Sequence, residues 1–178
     1  VVFPQILTPL NIIGERNLAA LEYARSANRT VISTLAVSMP MPELPALEHI
    51  QAIGSEVAVR EVLELGPPSS PLKTALVEGR RRVRIVAILQ EQPFLRVRAQ
   101  VLKDEPLDNP VEQAKRLNEA LDLFQQIVDL NEAITDEIAD YIFSLQDISS
   151  LTDTIAATLD LSIEDRQAIL VETNRSEE

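Results

Sequence analysis

The residues able to do chemistry are few in this chain, and their spacing removes most enzyme classes. The four glycines stand at 14, 54, 66 and 79, so no Gly-rich loop of the kind that cradles a nucleotide phosphate can form. The three lysines, Lys73, Lys103 and Lys115, fall in strand-like stretches or at a helix start. None lies beside a serine in the manner of a Ser-Lys nucleophile pair. Cysteine is absent, which excludes disulfides, thiolate catalysis and cysteine metal sites and is compatible with a reducing cytoplasm. His49 is the only histidine, with Glu48 beside it; together they supply too few ligands for a zinc centre, and His49 is read as a surface or boundary residue. Asp136, Glu137 and Asp140 cluster, but without EF-hand spacing and on the exposed side of a predicted helix, so they read as a solvated face.

The series Arg80, Arg81, Arg82, Arg84, Arg96 and Arg98 has the charge that phosphate contacts require. Aromatic residues make up only 3% of the chain, too sparse for base-stacking platforms, which argues against nucleic acid. Arginines on the wet face of strands pair with cross-strand carboxylates, and this face is expected to be salt-bridged or to meet the acidic half or a neighbouring subunit.

Charge divides the chain in two. Residues 1–105 hold 12 Lys+Arg against 11 Asp+Glu, a net of +1, and residues 106–178 hold 4 against 17, a net of −13; together these give the overall −12. Two modules are expected, 1–105 and 106–178. No apolar run approaches the roughly 18 residues of a membrane span, and no signal peptide opens the chain. Its abrupt hydrophobic start, like its last residues, reads as a cut end.

The elements that must position these residues follow from periodicity. Residues 72–77 and 82–89 alternate in twos about Gly79, predicting two half-buried strands joined by a turn at that glycine. Leu95, Val97, Ala99 and Val101 alternate with Arg96, Arg98 and Gln100 as a third, giving an antiparallel meander. Earlier, Pro4 and Pro9 break an extended run over 1–13. Residues 17–27 are helical in spacing, 30–37 read as a buried strand, 38–45 as a proline-rich loop and 55–63 as a strand, followed by a turn at 66–71. In that strand Val57, Val59 and Glu61 are set against Arg60 and Val62. Beyond residue 105 the period becomes helical. Asn109, Pro110 and Glu112 open a helix whose stripe runs through Leu117, Leu121, Phe124 and Val128, widened by Leu123 and Ile127. Thr135 caps a second, with stripe Ile138, Tyr141, Ile142 and Leu145; Ser149 or Ser150 opens a third, and Ser162 a fourth.

On these same residues a family resemblance rests. Val77-Glu78-Gly79-Arg80-Arg81-Arg82-Val83-Arg84-Ile85 resembles the V-x-G-x-x-R-x-x-I signature of the Lon protease amino-terminal domain, and Gln92-Pro93-Phe94-Leu95-Arg96-Val97 resembles the E-x-P-Y-L-x-A segment after it. Phe3-Pro4-Gln5 resembles F-P-G, with Gln5 in the glycine's place, so a turn that needs positive φ is expected to differ here. Ile53-Gly54-Ser55-Glu56-Val57-Ala58 is similar to V-G-T-x-A. Residues 151–157 and 161–170 are similar to the L-A-D-x-I-A and L-x-x-x-x-K-Q-x-L-L of the helical segment, with Arg166 for the usual lysine.

The resemblance implies an α+β chain: a PUA-like antiparallel β-domain, a pseudo-barrel with one or two short helices, then an all-α subdomain of about four helices. It implies the non-catalytic substrate-recognition and assembly region of an ATP-dependent serine protease, cytoplasmic and homo-oligomeric in the parent protein, with unfolded or degron-bearing proteins as partners. No cofactor is expected in this chain, ATP and Mg belonging to an absent ATPase module. Phe3, Ile6, Leu7, Met39, Met41 and Phe94 are candidate polypeptide-binding residues, taken as exposed apolar surface. Arg80, Arg81, Arg84, Arg96 and Arg98 are candidate inter-domain or inter-subunit residues. The alternatives are a free-standing protein of the same domain, which Pro9-Leu10-Asn11-Ile12-Ile13 resembles somewhat more, and an RNA-binding PUA-like protein.

Overall fold

A computed structural model describes residues 1–43, 45–65, 72–103 and 109–172. The chain forms two units, Val1–Leu102 and Lys103–Glu178. The first contains β1 (Leu7–Ile12), α1 (Glu15–Ser26), β2 (Val31–Ser33), β3 (Ile53–Leu65), β4 (Leu72–Gln90) and β5 (Arg96–Val101). The second contains α2 (Pro110–Leu130), α3 (Asp136–Phe143), α4 (Ile148–Thr158) and α5 (Ile163–Val171). The architecture is α+β, with all strand pairing antiparallel.

β4 organises the first unit. One of its edges pairs with β3 along Leu72–Arg84. The opposite edge is shared, β1 pairing with Lys73–Glu78 and β5 with Val83–Gln90. The expected turn at Gly79 is therefore absent, because β4 runs straight through it. Glycine is required there for a different reason. The Phe3–Ile6 segment crosses β4 in the gap between β1 and β5, with Gln5 N–H donating to the Gly79 carbonyl at 2.9 Å and Gly79 N–H to the Ile6 carbonyl at 3.0 Å. A Cβ on Gly79 would stand 1.9 Å from the Phe3 carbonyl oxygen, so the side chain is excluded by a close backbone approach. Gln5 itself has φ 63°: the positive-φ turn is kept and a non-glycine residue occupies it, contrary to the altered turn expected from its side chain.

The sheet is open rather than a closed pseudo-barrel. Strand order is β1-β4-β3-β2 with β5 paired to β4, which leaves β2 as the edge on one side and β1 and β5 as edges on the other. The β3–β4 pairing shifts register twice, between Glu56 and Val57, where the extra residue is Arg80 of β4, and between Val59 and Glu61, where it is Arg60 of β3. An extra residue reverses the side-chain alternation beyond it. Val62, expected to face away from Val57 and Val59, thus packs with them against a core of Val2, Leu21, Val57, Ala75 and Val77. The expected buried strand over 30–37 is only the three residues of β2, half-buried, because an edge strand has a neighbour on one side alone. The expected turn at 66–71 lies outside the described residues.

The second unit is built on local capping and a shared apolar centre. Asn109 caps α2 by accepting from Val111 N–H at 3.0 Å, and Ser162 caps α5 by accepting from Asp165 N–H at 3.0 Å. α4 is capped by Asp147, which accepts from Ser150 N–H at 2.8 Å, and not by Ser149 or Ser150. Phe124, Ile134, Ala139, Ile142 and Leu151 form the core, where the Phe124 and Phe143 rings meet edge to face at 5.5 Å. The α3 stripe is turned toward Ala139 and Ile142, leaving Ile138 and Tyr141 exposed, and Leu123 is exposed rather than part of the α2 stripe. First-turn carboxylates, Glu112, Asp136, Glu137, Glu164 and Asp165, place part of the negative charge where helix dipoles favour it. Among the described residues, no helix is long and apolar enough to cross a membrane.

Candidate functional site

A cleft of about 300 Å³ opens in the first unit where the edge strands β2 and β5 and helix α1 converge. One wall is the edge segment from Thr30 to Thr34 and the other is Leu89 with Phe94–Val97, while Ala20, Tyr23 and Ala24 of α1 line it as well. The periodicity of α1 accounts for its side: Leu21 and Ala24 are buried, and Tyr23, next to them, reaches Phe94 with ring centroids 5.1 Å apart. Gln90 Nε2 donates to the Phe94 carbonyl at 3.2 Å, fixing the bend between β4 and β5. Leu89 is 60% exposed, an apolar side chain held in water beside this cleft. Arg29 and Arg96 also line it and are exposed.

The candidate apolar residues are scattered. Phe94 lines the cleft but is itself only 9% exposed, and Phe3, at 2%, is core. Neither is the free surface residue the sequence reading required: Phe3 is clamped by the crossing at Gly79 and Phe94 is covered by Tyr23. Leu7 (54% exposed) lies on β1 and Met39 (78%) in the proline-rich loop, with Ile6 and Met41 half-buried. None of these four lines the cleft. Sequence reasoning missed Tyr23, Arg29 and Leu89. Tyr23 and Arg29 carry no motif, and Leu89 was assigned to the packed face because the register shift between Ile88 and Gln90 is invisible to a period-two count.

The arginines divide by partner. Arg81 pairs with Glu56 across the β3–β4 register, and Thr30 Oγ1 donates to the same carboxylate at 2.7 Å. Burial alone would push the Glu56 carboxyl up. The hydrogen bonds from Thr30 and Arg81, with the charges of Arg81 and Arg80, outweigh it and hold the group below its ordinary 4.5. Arg60 forms an ion pair with Glu78. Arg82 is buried and so is not on the wet face. Arg84, Arg96 and Arg98 are exposed. His49 accepts from the Ala46 N–H at 2.9 Å through Nδ1, closing a 3-10 turn at Leu47–His49.

Gly54 and Gly79 lie within strands and Gly14 opens α1, so the described glycines form no phosphate cradle for ATP. Among the described residues no group of three or more His, Cys, Asp and Glu could hold a metal ion.

An open antiparallel sheet whose edges frame a cleft, followed in the chain by helices α2 to α5, is an α+β fold. Sequence comparison places it further: the chain belongs to the family of the ATP-dependent protease La (LON) substrate-binding domain, which matches residues 1–177. It is 27% identical over 172 residues to the Lon protease of Syntrophus aciditrophicus, covering 96% of this chain and 21% of that protein. It is 28% identical over 170 residues to the Lon protease of Escherichia coli K12, covering 96% and 21%. The chain thus spans about a fifth of the length of the curated relatives it matches. Among solved structures, it superposes on the N-terminal domain of Mycobacterium avium complex Lon protease with a TM-score of 0.72 at 21% identity, covering 97% of this chain and 86% of that one. With the Lon N-terminal domain protein of Xanthomonas campestris the score is 0.60 at 17% identity, covering 98% and 86%.

Proposed function

We propose that this chain is the substrate-engaging region of an ATP-dependent Lon-type protease in the cytoplasm, holding unfolded or degron-bearing polypeptides while bond cleavage is performed by residues elsewhere in the parent protein. The observation that carries this reading is the cleft between β2 and β5. It offers unpaired strand edges, an apolar lining and an exposed leucine in one place, which are the features that recognise an extended chain with its side chains unburied. Contacts of this kind are individually weak and gain strength when several copies act on one chain, which fits a homo-oligomeric parent. The exposed Arg84 and Arg98, with Arg80, are the side chains we assign to assembly contacts. No ATP or metal chemistry is assigned to this chain.

Fluorescence anisotropy with a labelled, permanently unfolded protein tests the proposal. Saturable binding, weakened severalfold by Leu89→Ser and little changed by Met39→Ser, is the expected result. Binding no stronger than that of an unrelated acidic protein would remove the assignment.

A further inference from the structure

The cleft has a charge pattern that a general unfolded-chain site does not need. Two arginines, Arg29 at the entry to β2 and Arg96 at the start of β5, line an otherwise largely apolar cavity, and both are exposed. No described carboxylate forms an ion pair with either, whereas Arg60 and Arg81 on the same sheet are matched to Glu78 and Glu56. Guanidinium groups around an apolar recess are complementary to a carboxylate attached directly to an apolar residue. The volume of about 300 Å³ holds roughly two residue side chains and no long run of polypeptide, a size typical of the small end of ligand clefts. The outer edge of β2, which forms part of the cleft wall, is unpaired among the described residues.

We propose that this cleft receives the C-terminus of a polypeptide ending in a bulky apolar residue. The last side chain enters among Tyr23, Ile85, Leu89 and Phe94, the α-carboxylate meets Arg29 and Arg96, and the preceding residues extend along β2 as an added strand. An internal Asp or Glu suits the site less well, since its carboxylate stands on its own side-chain stem and the chain must continue on both sides. This inference rests on the substrate-engaging reading and narrows it to chain ends.

The test is a titration of the 178-residue chain with four fluorescein-labelled decapeptides of one polar sequence: one ending in Leu with a free carboxylate, its C-terminal amide, a free acid ending in Gly, and an amide with an internal Asp-Leu pair. The free Leu acid is expected to bind about tenfold tighter than its amide and the Gly acid. Its affinity should fall with salt, as exposed charge pairs do. R29Q and R96Q, at exposed positions that leave the fold intact, should each erase most of the acid-over-amide preference. Equal binding of acid and amide would overturn the proposal, as would an internal Asp-Leu peptide that binds as well as the free Leu acid. A parallel titration with an unfolded protein whose C-terminus is amidated separates the two readings. If that protein binds while the peptides show no preference, only the chain-end inference fails; if neither binds, the substrate-engaging reading fails with it.

Discussion

Replacing Gly79 with alanine probes the contact on which the first unit depends. The added Cβ would lie 1.9 Å from the Phe3 carbonyl oxygen and 2.8 Å from its carbon. The opposing group is backbone, so no side-chain rotation relieves the clash. The Phe3–Ile6 segment must retreat by about 1 Å to restore even a tight contact, and Phe3, almost fully buried, must move with it. Overpacking of this kind costs about 1–3 kcal/mol. The shift also stretches the Gln5-to-Gly79 and Gly79-to-Ile6 hydrogen bonds, each worth about 1 kcal/mol. A total of about 3–5 kcal/mol follows. For a unit of about 100 residues each kcal/mol shifts Tm by about 4–8 °C, so the first unit should melt at least about 12 °C lower by scanning calorimetry, and amide exchange at Gln5 and Gly79 should accelerate. Gly14→Ala is the control: φ is 86° but no atom lies within 4 Å of the added Cβ, so only backbone strain, about 1–3 kcal/mol, is incurred. A Gly79→Ala protein with Tm within about 3 °C of the parent would refute the crossing of Phe3 over β4.

Three further outcomes follow from the same geometry. Gln5, at φ 63°, carries the left-handed penalty of about 1–2 kcal/mol, partly offset in a glycine variant by backbone entropy, so Gln5→Gly should raise stability by about 0.5–1 kcal/mol in urea titration. Because the Glu56 pKa is lowered in the folded state, its contribution is fully present above the ordinary value of 4.5 and is lost as pH falls through the lowered folded value; Glu56→Gln should flatten the stability of the first unit over that acidic window in pH-dependent melts, and an unchanged profile would contradict the pairing with Arg81 and Thr30. Asp147→Ala removes the α4 cap and should cost about 0.5–2 kcal/mol, measured as a lower urea midpoint, whereas Ser149→Ala should cost little.

What the sequence determined by itself was whatever neighbours along the chain decide. The helix starts at Asn109-Pro110 and at Ser162 were legible because a cap is satisfied within three residues of itself. The change from period two to helical spacing, together with the charge division, marked where strands give way to helices. The family was readable too, since its signatures occur in order along nearly the whole chain.

What only the tertiary structure decided was each feature whose partner is distant in sequence. Gly79 looked like a turn because a glycine between two alternating runs has the same pattern whether the chain reverses or continues, and it is Phe3, 76 residues away in the chain, that makes glycine necessary. Phe3 and Phe94 read as exposed apolar anchors, yet burial is a property of what covers a side chain: the crossing at Gly79 in one case and Tyr23 in the other. The extra residue Arg60 in β3 reversed the later side chains and moved Val62 inward, and Leu89, the unpaired residue at the shift between Ile88 and Gln90 in β4, is left outward. The cleft brings together α1, β2 and β5, which no local pattern connects, and so Tyr23, Arg29 and Leu89 gained their place only when the sheet curled without closing.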